Sequence, residues 1–508
     1  MIKHNLKYAT YIVLLMLVCF AGRVLAQRPV RMGPASPDEI KKARSVVEAH
    51  PDSLGAYKAY IYAMGMLNPL LPNQYKAWVK KYPTNVTIPL AFGTVYYNAE
   101  MPQAKEYLLK AAAMEPENAN IWFMLWGDGD RWGQNDLTIE YLRKATLANP
   151  SDAGYAFYYL RSFKDADPNG YKQKVFDFVK RFPASERGAQ ALYWLGEDAT
   201  NLNDKINYFE TLRKLYPPQK FNWSSYGMVE LSDAYLQKDP EKSLAIINGM
   251  GEGKDWKIRK QVAELLIQIN KLEQDQKYND ALILVDQVKL PKYNLINEYL
   301  ILKKSSLLEK AGDVKAAYDS LAIKFAKLPT DQLYNALELC GKKIGKNKRQ
   351  IAKDIQAIRN STAVPAHPFE LGLYTSKGKL SLENLKGKVV LLTFWFPGCG
   401  PCRAEFPHFQ AVINKFKGAE VVYVGINIDP KQDAYVPPFM RNTKYSFIPL
   451  RGSPEFALKN YGVVGEPENF LIDKDGKIIF RNFRIDNTNH RTLELMISSL
   501  LQKSRQSN

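Results

Sequence analysis

Two cysteines stand in the stretch 393-TFWFPGCGPCRAEFP-407, which joins an apolar run to a predicted helix. The apolar residues 389–396 predict a strand that is covered on both faces, and the residues after Cys399 predict a helix kinked at Pro407. Cys399 is therefore expected at the helix start, where unpaired N–H groups and the helix dipole favour a thiolate. Because the thiolate is the nucleophile of disulfide exchange, and Cys402 follows one turn later, the pair is predicted to be a redox-active dithiol.

The sequence on both sides of the dithiol resembles the thioredoxin superfamily, and within it the extracytoplasmic TlpA/ResA-type thiol-disulfide oxidoreductases. The resemblance covers about residues 363–502 and includes PFEL at 368–371, SLENLKGKVVLL at 381–392, YGVVGEP at 461–467 and FLIDKDGK at 470–477. It implies an α/β thioredoxin-like domain with a central mixed sheet.

The resemblance also implies roles for single residues. Pro467 is expected to follow a cis peptide bond and to face the dithiol, and Glu405 is expected to carry the proton of the resolving thiol, Cys402. Cys399 would attack the disulfide of a partner protein, and a membrane thiol-reducing system would restore the dithiol, with no cofactor or metal. Four residues are expected to support the site or line the substrate groove: Trp395, Pro401, Gly465 and Glu466.

Two departures from the family pattern surround the dithiol. Many relatives carry tryptophan before the first cysteine, whereas this chain has Gly398, and the pair that follows the proline is Glu468 and Asn469. The surface around the first cysteine is therefore expected to be barer than in those relatives. Glu466 and Glu468 are expected to raise the thiol pKa, because a nearby negative charge disfavours a thiolate, unless Arg403 offsets them.

Three other interpretations of the cysteine pair are open, and each has less support. A zinc site would need further ligands, yet the sequence has no second C-x-x-C, and His408 falls within the predicted helix. A purely structural disulfide across so short a loop would constrain the unfolded chain little. A peroxiredoxin would carry threonine where this chain has Phe396. Redox exchange at the dithiol is therefore favoured.

The N-terminus has the pattern of a secretory signal peptide. Basic residues precede an apolar run at about residues 9–22, and VLA at 24–26 offers small residues for cleavage. Residues 1–26 are therefore predicted to direct export to the periplasm or cell envelope of a bacterium, with the protein soluble after cleavage. An uncleaved N-terminal anchor is the alternative, although the run is shorter than the ~20 residues that span a bilayer.

Export would leave three cysteines in the mature chain, Cys340, Cys399 and Cys402. So few cysteines cannot hold a long chain together through disulfides, and a 46% share of hydrophobic residues is ample for the cores of two or more domains. Apolar residues precede Cys340 at helical spacing. Cys340 is therefore predicted to be a core thiol rather than a third redox thiol.

The region before the dithiol domain contains a repeat of 32 to 34 residues. Each repeat contains a proline that follows an amphipathic helical run and precedes a candidate N-cap residue, so one helix stops just before the next begins. These prolines are Pro51, Pro83, Pro116, Pro150, Pro183 and Pro217. The period resembles the tetratricopeptide repeat, and the small and large packing positions of that repeat match Ala104, Leu108, Ala111, Trp122, Leu125, Leu142 and Ala145. An all-α helical-repeat solenoid is predicted, with a looser register beyond Pro217.

The resulting organisation is a signal peptide at 1–26, tetratricopeptide-like repeats at 27–359, a linker at 360–368 and a thioredoxin-like domain at 369–508. The linker is placed where NSTAVPAHP breaks both helical and strand patterns. A solenoid presents an extended face to partners, so the repeats are expected to recruit a protein partner. Self-association, or docking to another envelope component, is the alternative.

Seven aromatic residues of the helical region allow two interpretations. They pack between stacked helices, which is the favoured interpretation, or they line an exposed groove that binds a peptide. They are Trp122, Trp126, Trp132, Tyr155, Tyr158, Tyr159 and Trp194.

The formal net charge of +18 comes from lysines and arginines that are spread along the chain without a nucleic-acid fold signature. A solvated basic surface is expected, and nucleic-acid binding is not.

Together these features predict an exported thiol-disulfide oxidoreductase, a reductase of protein disulfides in the cell envelope, whose helical repeats recruit the partner. The Gly400-Pro401 pair matches the dipeptide of reducing thioredoxins, which favours reduction over oxidation. The alternative is a repeat-based binding scaffold in which the thioredoxin-like domain acts as a redox sensor or regulator.

Overall fold

The structure is a computed structural model that describes residues 34–291 and 294–501. The predicted signal peptide, residues 1–26, lies outside these ranges and stays a prediction. The chain divides into two compact units, residues 1–128 and 129–508, so the division falls within the helical region and not at the predicted linker. Among the helices of the described residues, none combines the length and the apolar content needed to cross a membrane.

The described part of the first unit is helical. Its helices are α1 (Pro37–Ala49), α2 (Leu54–Met64), α3 (Leu71–Lys81), α4 (Thr87–Asn98), α5 (Ala104–Met114) and most of α6 (Ala119–Arg131). Aromatic rings fill the core, where Trp78 meets Tyr57 and Tyr60 edge to face. Gly93 lets α4 and α5 approach closely, because a Cβ at this position would lie 2.7 Å from a methyl group of Leu108.

Helices also fill the second unit up to residue 362. They are α7 (Asn135–Ala148), α8 (Ala153–Arg161), α9 (Phe163–Ala166), α10 (Pro168–Arg181), α11 (Glu186–Glu197), α12 (Leu202–Leu215), α13 (Asn222–Lys238), α14 (Pro240–Asn248), α15 (Lys254–Gln274), α16 (Tyr278–Gln287), α17 (Asn297–Lys310), α18 (Val314–Lys327), α19 (Asp331–Lys343) and α20 (Lys348–Thr362). This arrangement confirms the predicted all-helical region before the α/β domain.

The repeat prolines stop helices as predicted. Each one directly follows the C-cap residue of a helix, and these caps are His50, Tyr82, Glu115, Asn149, Phe182 and Tyr216. Proline has no backbone N–H to continue the helical ladder. The side chains of Ser53, Asp152 and Ser185 then accept N–H bonds in the first turn of the helix that follows. Local sequence therefore sets these helix boundaries.

The positions that match the tetratricopeptide packing pattern are all buried: Ala104, Leu108, Ala111, Trp122, Leu125, Leu142 and Ala145. Tyr158 and Trp194 are half-buried and pack against the hydrophobic core of the second unit. The packing interpretation of these aromatic residues therefore holds for Trp122, Tyr158 and Trp194.

Cys340 is a core thiol, as predicted. It is 3% exposed on α19, and its Sγ lies 3.7 Å from Oε2 of Glu309. Burial raises the pKa of the thiol, and the neighbouring glutamate raises it further. Because the thiolate is the reactive form, this environment keeps Cys340 unreactive.

The predicted linker is more regular than the sequence pattern indicated. Helix α20 continues to Thr362, and β1 (Val364–Pro365) pairs with a strand more than a hundred residues later in the chain, with Val364 opposite Ile478. Proline is tolerated in β1 because β1 lies at the edge of the sheet. The local pattern could not show this pairing, since the partner strand is remote in sequence.

A mixed sheet forms the centre of the α/β domain, as the resemblance implied. Its strands are β1, β4 (Val389–Trp395), β5 (Val421–Asn427), β6 (Ile448–Arg451), β7 (Glu468–Ile472) and β8 (Lys477–Arg481), in the order β1-β8-β7-β4-β5-β6. β4 runs parallel to β5 and antiparallel to β7. A separate hairpin consists of β2 (Glu370–Gly372) and β3 (Lys379–Ser381).

Strand β4 is covered on both faces. All seven of its residues are buried, and alternate side chains enter two different hydrophobic clusters, with Leu391 and Trp395 in one and Leu392 and Phe394 in the other. The remaining helices of the domain, α21 (Gly400–Asn414), α22 (Val436–Thr443), α23 (Pro454–Tyr461) and α24 (His490–Leu501), surround the sheet together with 3₁₀ turns at Glu383–Leu385 and Pro430–Tyr435. The strand that leads to the dithiol is therefore rigidly held.

A buried ion pair joins α13, α15 and the segment before α17 in the second unit. Nε and Nη2 of Arg259 donate to Oδ1 and Oδ2 of Asp233 at 2.8 and 3.2 Å, and the backbone N–H of Leu295 donates to the same carboxylate at 3.1 Å. The two side chains are 3% and 2% exposed. Burial raises the pKa of Asp233, and Arg259 opposes that rise.

We predict that Arg259→Met lowers the free energy of unfolding by about 3–5 kcal/mol, because it leaves the buried Asp233 carboxylate without its counter-charge. Urea unfolding followed by circular dichroism measures this loss. The double variant Asp233→Leu/Arg259→Met should recover most of it, since no charge then remains buried. A single variant as stable as the native chain would contradict the prediction.

Candidate redox site

The dithiol lies where β4 ends and α21 begins, as the sequence predicts. Cys399 is the N-cap residue of α21, and its Sγ accepts a hydrogen bond from the backbone N–H of Cys402 at 3.2 Å. The two cysteines form a disulfide in the structure, with 5.3 Å between their Cα atoms. Once the bond is reduced, the same N–H group and the positive end of the helix dipole would stabilise a thiolate on Cys399.

Access to the two sulfur atoms differs. Cys402 is fully buried, whereas Cys399 keeps 5% of its surface exposed. Pro401, between them, is exposed. Cys399 is therefore the more accessible of the two sulfur atoms.

Pro467 lies beside the end of β4. The Glu466–Pro467 peptide bond is cis, as the resemblance implied, and Pro467 is buried directly before β7. Because β7 pairs antiparallel with β4, with Glu468 opposite Phe394, the start of β7 meets the edge of the sheet from which the dithiol loop leaves. Gly465 is exposed at the same edge.

Glu405 is buried on α21, one turn after Cys402. Its carboxylate accepts a hydrogen bond from the backbone N–H of Ile485 at 3.0 Å and another from Nδ2 of Asn469 at 2.9 Å. Burial raises the pKa of Glu405, and the two hydrogen bonds limit that rise. Residues three apart on a helix share a face, so the carboxyl group and the resolving thiol lie on the same side of α21.

Asn469 organises this buried polar group. Its Oδ1 accepts a hydrogen bond from the hydroxyl of Thr393 at 2.9 Å, and its Nδ2 also donates to the backbone carbonyl of Phe483 at 3.0 Å. The sequence showed Asn469 only as a departure from the family pattern. Its link to Glu405 depends on β7 lying next to β4, and the residues are 64 positions apart.

The acidic residues around the proline are less solvated than the sequence pattern indicated. Burial raises the pKa of Glu466 and of Glu468, and Oε1 of Glu468 is buried without a hydrogen-bond partner. Arg484 opposes the rise at Glu468.

Trp395 lies in the hydrophobic core at the end of β4. It is fully buried and contacts the rings of Phe406, Phe439 and Phe447 at centroid distances of 5.2 to 5.3 Å. It therefore belongs to the core under the dithiol loop and not to the substrate groove. Gln432, which the sequence did not single out, binds the loop itself, because its Oε1 accepts the N–H of Gly398 at 2.5 Å.

The end of α6 and the residue that follows it contact the domain that carries the dithiol. Oδ2 of Asp130 lies 3.6 Å from Nη2 of Arg403, whose Nη1 donates to the backbone carbonyl of Pro397. The ring of Trp132 meets Tyr435 edge to face at 5.3 Å, and the backbone carbonyl of Trp132 accepts a hydrogen bond from Asn442 at 2.7 Å. The helical part of the second unit thus reaches the residue next to Cys402.

No group of three or more histidine, cysteine, aspartate or glutamate side chains suited to a metal ion occurs among residues 34–291 and 294–501. His408 lies on α21 with its Nδ1 2.9 Å from Nε2 of His490.

A mixed sheet, a dithiol at the N-terminal turn of a helix and a cis-proline directly before the strand that pairs with β4 define a thioredoxin-like domain. Residues 363–481 match the model of the AhpC/TSA family. The chain is 36% identical over 101 residues to the thiol-disulfide oxidoreductase ResA of Bacillus thuringiensis subsp. konkukian (strain 97-27), an alignment that covers 20% of this chain and 58% of that protein. The C-terminal domain is therefore homologous to the ResA/TlpA-type thiol-disulfide oxidoreductases.

Other similar proteins carry related names. The thiol-disulfide oxidoreductase ResA of Bacillus subtilis (strain 168) is 33% identical over 105 residues, which cover 21% of this chain and 58% of that protein. The chain thus spans 58% of the length of both curated relatives. Among solved structures, the thioredoxin domain of a thiol-disulfide oxidoreductase from Bacteroides vulgatus is similar, with 27% sequence identity and a TM-score of 0.24. The alignment covers 26% of this chain and 96% of the Bacteroides vulgatus chain.

We predict that Asn469→Ala raises the pKa of Glu405 further, because it removes a hydrogen-bond donor that stabilises the carboxylate. Carbon-13 NMR titration of the labelled glutamate carboxyl groups measures the shift, with Glu405→Gln to assign the signal. Asn414→Ala, an exposed site at the end of the same helix, should leave the pKa unchanged. An unchanged or lowered pKa in the first variant would contradict the prediction.

We also predict that the end of α6 sets the charge beside the dithiol. In the reduced chain, Asp130→Asn should lower the pKa of the Cys399 thiol, because Arg403 keeps its positive charge without the opposing carboxylate, and Arg403→Gln should raise it. The pH dependence of alkylation by iodoacetamide measures both shifts. Shifts of the same sign in the two variants would contradict this expectation.

Proposed function

We propose that the protein is a thiol-disulfide oxidoreductase that reduces the disulfides of partner proteins in the cell envelope. The observation that carries this proposal is the position of Cys399, whose Sγ accepts a helix N–H, above a buried Cys402. The names of the homologues support the same chemistry. The Gly400-Pro401 pair favours reduction over oxidation.

In the proposed reaction, the Cys399 thiolate attacks one sulfur of a partner disulfide. The partner S–S bond breaks, a mixed disulfide forms, and the released partner thiolate takes up a proton from solvent. Cys402 then loses its proton to Glu405 and attacks the sulfur of Cys399, which frees the second partner thiolate, and this thiolate takes up the proton from Glu405. The partner has gained two electrons and two protons, and the chain ends with the Cys399–Cys402 disulfide, the state of the structure.

Glu405 suits the role of proton acceptor in that second step. Burial raises the pKa of its carboxyl toward that of a thiol, which reduces the energy difference for proton transfer. Its hydrogen bonds to Ile485 and Asn469 hold the carboxylate in one position. Proton transfer in this step thus remains within a buried part of the domain.

The other parts of the proposed function rest on predictions from the sequence. Residues 1–26 would export the chain to the periplasm or cell envelope, residues 27–359 would form tetratricopeptide-like repeats that recruit a partner protein, and residues 369–508 would carry out the exchange. A membrane thiol-reducing system would return electrons to the dithiol after each turnover. Pro467, Gly465 and Glu466 would line the groove that receives the partner.

A second candidate function is a binding scaffold whose thioredoxin-like domain senses redox state. The contacts of Asp130 and Trp132 with the dithiol domain favour it, because they could couple the redox state to the helical region. Catalytic turnover of disulfide exchange distinguishes the two candidate functions. A sensor would change its partner affinity between oxidised and reduced states without catalysing exchange.

We predict that Cys402→Ala accumulates mixed disulfides on Cys399, because the resolving thiol is absent, and that Cys399→Ala reduces insulin-disulfide reduction to the uncatalysed rate. Non-reducing electrophoresis and mass spectrometry of the trapped species measure the first effect and identify partners. Cys340→Ala is the matched control, since this buried thiol takes no part in exchange. Full activity of Cys399→Ala would refute the proposed enzyme.

A further inference from the structure

The end of α6 packs closely against the thioredoxin-like domain. Residues 129–133, here called the α6 cap segment, include Gly133, whose φ of 65° lies in the left-handed region that favours glycine. A Cβ at Gly133 would lie 2.6 Å from Cγ2 of Thr443 and 3.1 Å from the ring of Phe439, which is closer than a side chain allows. Only glycine at this position therefore lets the α6 cap segment approach α22 so closely.

A first chain of contacts leads from the α6 cap segment to Gly398. The ring of Trp132 meets Tyr435 edge to face at 5.3 Å, and Tyr435 is the last residue of the 3₁₀ turn Pro430–Tyr435. Gln432, on the same turn, accepts the backbone N–H of Gly398 through its Oε1 at 2.5 Å. Tyr435 and Gln432 are 0% and 2% exposed, so close packing holds both side chains in place.

The 3₁₀ turn is held from two sides. On one side, Nδ2 of Asn427 in β5 donates to Oδ1 of Asp433 at 2.9 Å and to the backbone carbonyl of Asp429 at 3.2 Å. On the other side, Trp132 packs against Tyr435. The position of the glutamine within this turn therefore depends on both the sheet and the α6 cap segment.

A second chain of contacts leads from the same segment to Pro397. Oδ2 of Asp130 lies 3.6 Å from Nη2 of Arg403, and Nη1 of Arg403 donates to the backbone carbonyl of Pro397. The two charged side chains are 30% and 21% exposed, so water screens their attraction only in part. The two chains of contacts share no residue, and they end on the two residues that precede Cys399.

Pro397 and Gly398 set the position of Cys399. The backbone N–H of Cys399 donates to the carbonyl of Phe396 at 2.9 Å, so residues 396–399 form a tight turn. The sulfur of Cys399 accepts the N–H of Cys402 only when this turn holds it over the start of α21. A looser turn would weaken that hydrogen bond and the stabilisation of a thiolate.

We propose that the α6 cap segment positions Cys399, and that Trp132 is a positioning residue that acts through Gln432. The helical part of the second unit then sets the reactivity of the nucleophile, in addition to any recruitment of a partner. This role rests on the proposed function, in which Cys399 is the nucleophile. The second chain of contacts adds the charge effect of Arg403 described above.

Alkylation of the reduced full chain by iodoacetamide, followed over pH, tests the role of Gln432. Gln432→Met removes the acceptor of the Gly398 N–H, so the pKa of the Cys399 thiol should rise. The alkylation rate at a pH below that pKa should fall about 3- to 10-fold, which is the net effect of one hydrogen bond. An unchanged rate in this variant would overturn the proposal.

Variants of Trp132 test the contact from the helical side. Trp132→Leu should raise the pKa of the Cys399 thiol and slow its alkylation, in the same direction as Gln432→Met. Trp132→Phe keeps a ring against Tyr435 and should return both values toward those of the native chain, which a general folding defect would not do. A native rate in Trp132→Leu, or equal rates in the two Trp132 variants, would overturn the proposal.

The double variant Trp132→Leu/Gln432→Met shows whether the tryptophan acts through the glutamine. If it does, the double variant should be alkylated at the rate of Gln432→Met alone, because the tryptophan then has no contact left through which to act. Two effects that multiply would overturn this route.

Arg491→Gln is the matched control. Nε of Arg491 donates to both carboxylate oxygens of Asp331 at 3.2 and 3.0 Å, so this pair also joins the helical part to the thioredoxin-like domain, but at α24 rather than at the dithiol loop. The control should be alkylated at the native rate. A fall as large as that of Trp132→Leu would overturn the proposal, since the loss of any contact between the two parts would then have the same effect.

Insulin-disulfide reduction by the same set of variants separates this role from the proposed function. Alkylation needs no turnover, so it reports on the position of Cys399 alone. A chain with the expected alkylation differences that does not reduce insulin would refute the proposed enzyme and still support the positioning role. A chain that reduces insulin but shows no alkylation difference between the native chain and Trp132→Leu would overturn the positioning role and leave the enzyme in place.

Discussion

The hydrogen bond from the N–H of Cys402 to the sulfur of Cys399 is the interaction on which the chemistry of this protein depends. It exists because a fully buried strand, β4, delivers Cys399 to the N-cap of α21. At that place a sulfur atom takes the position of the usual capping oxygen and satisfies a helix N–H. The reactivity of the thiol is therefore a consequence of the helix start, and any change that displaced the end of β4 would also displace the sulfur.

Around this dithiol, the domain keeps a small polar network inside an apolar core. Glu405, Asn469 and Thr393 are buried and satisfy one another, while backbone groups from the segment before α24 complete the network. Buried polar groups are tolerated when each has a partner, and a satisfied network holds its members in one geometry. The carboxylate of Glu405 is thereby held in one position away from bulk water.

Sequence patterns predicted a large part of this arrangement because the signals are local. The repeat prolines end their helices since proline cannot continue the backbone ladder, and the apolar run before the dithiol forms β4 because its residues suit a doubly covered strand. Burial of Cys340 also followed from the apolar spacing around it. The cis bond before Pro467 was implied by family resemblance, since spacing alone carries no information about peptide isomers.

By itself, the sequence determined that helices end at the repeat prolines, that a doubly covered strand precedes the dithiol and that the two cysteines lie at the start of a helix. Only the tertiary structure decided that Asn469 holds Glu405, that β1 joins the sheet edge and that Asp130 lies beside Arg403. The reason is physical. Capping, propensity and hydrophobic period act within a few residues, whereas these contacts join segments far apart in the chain, and their electrostatics depend on burial that exists only after packing.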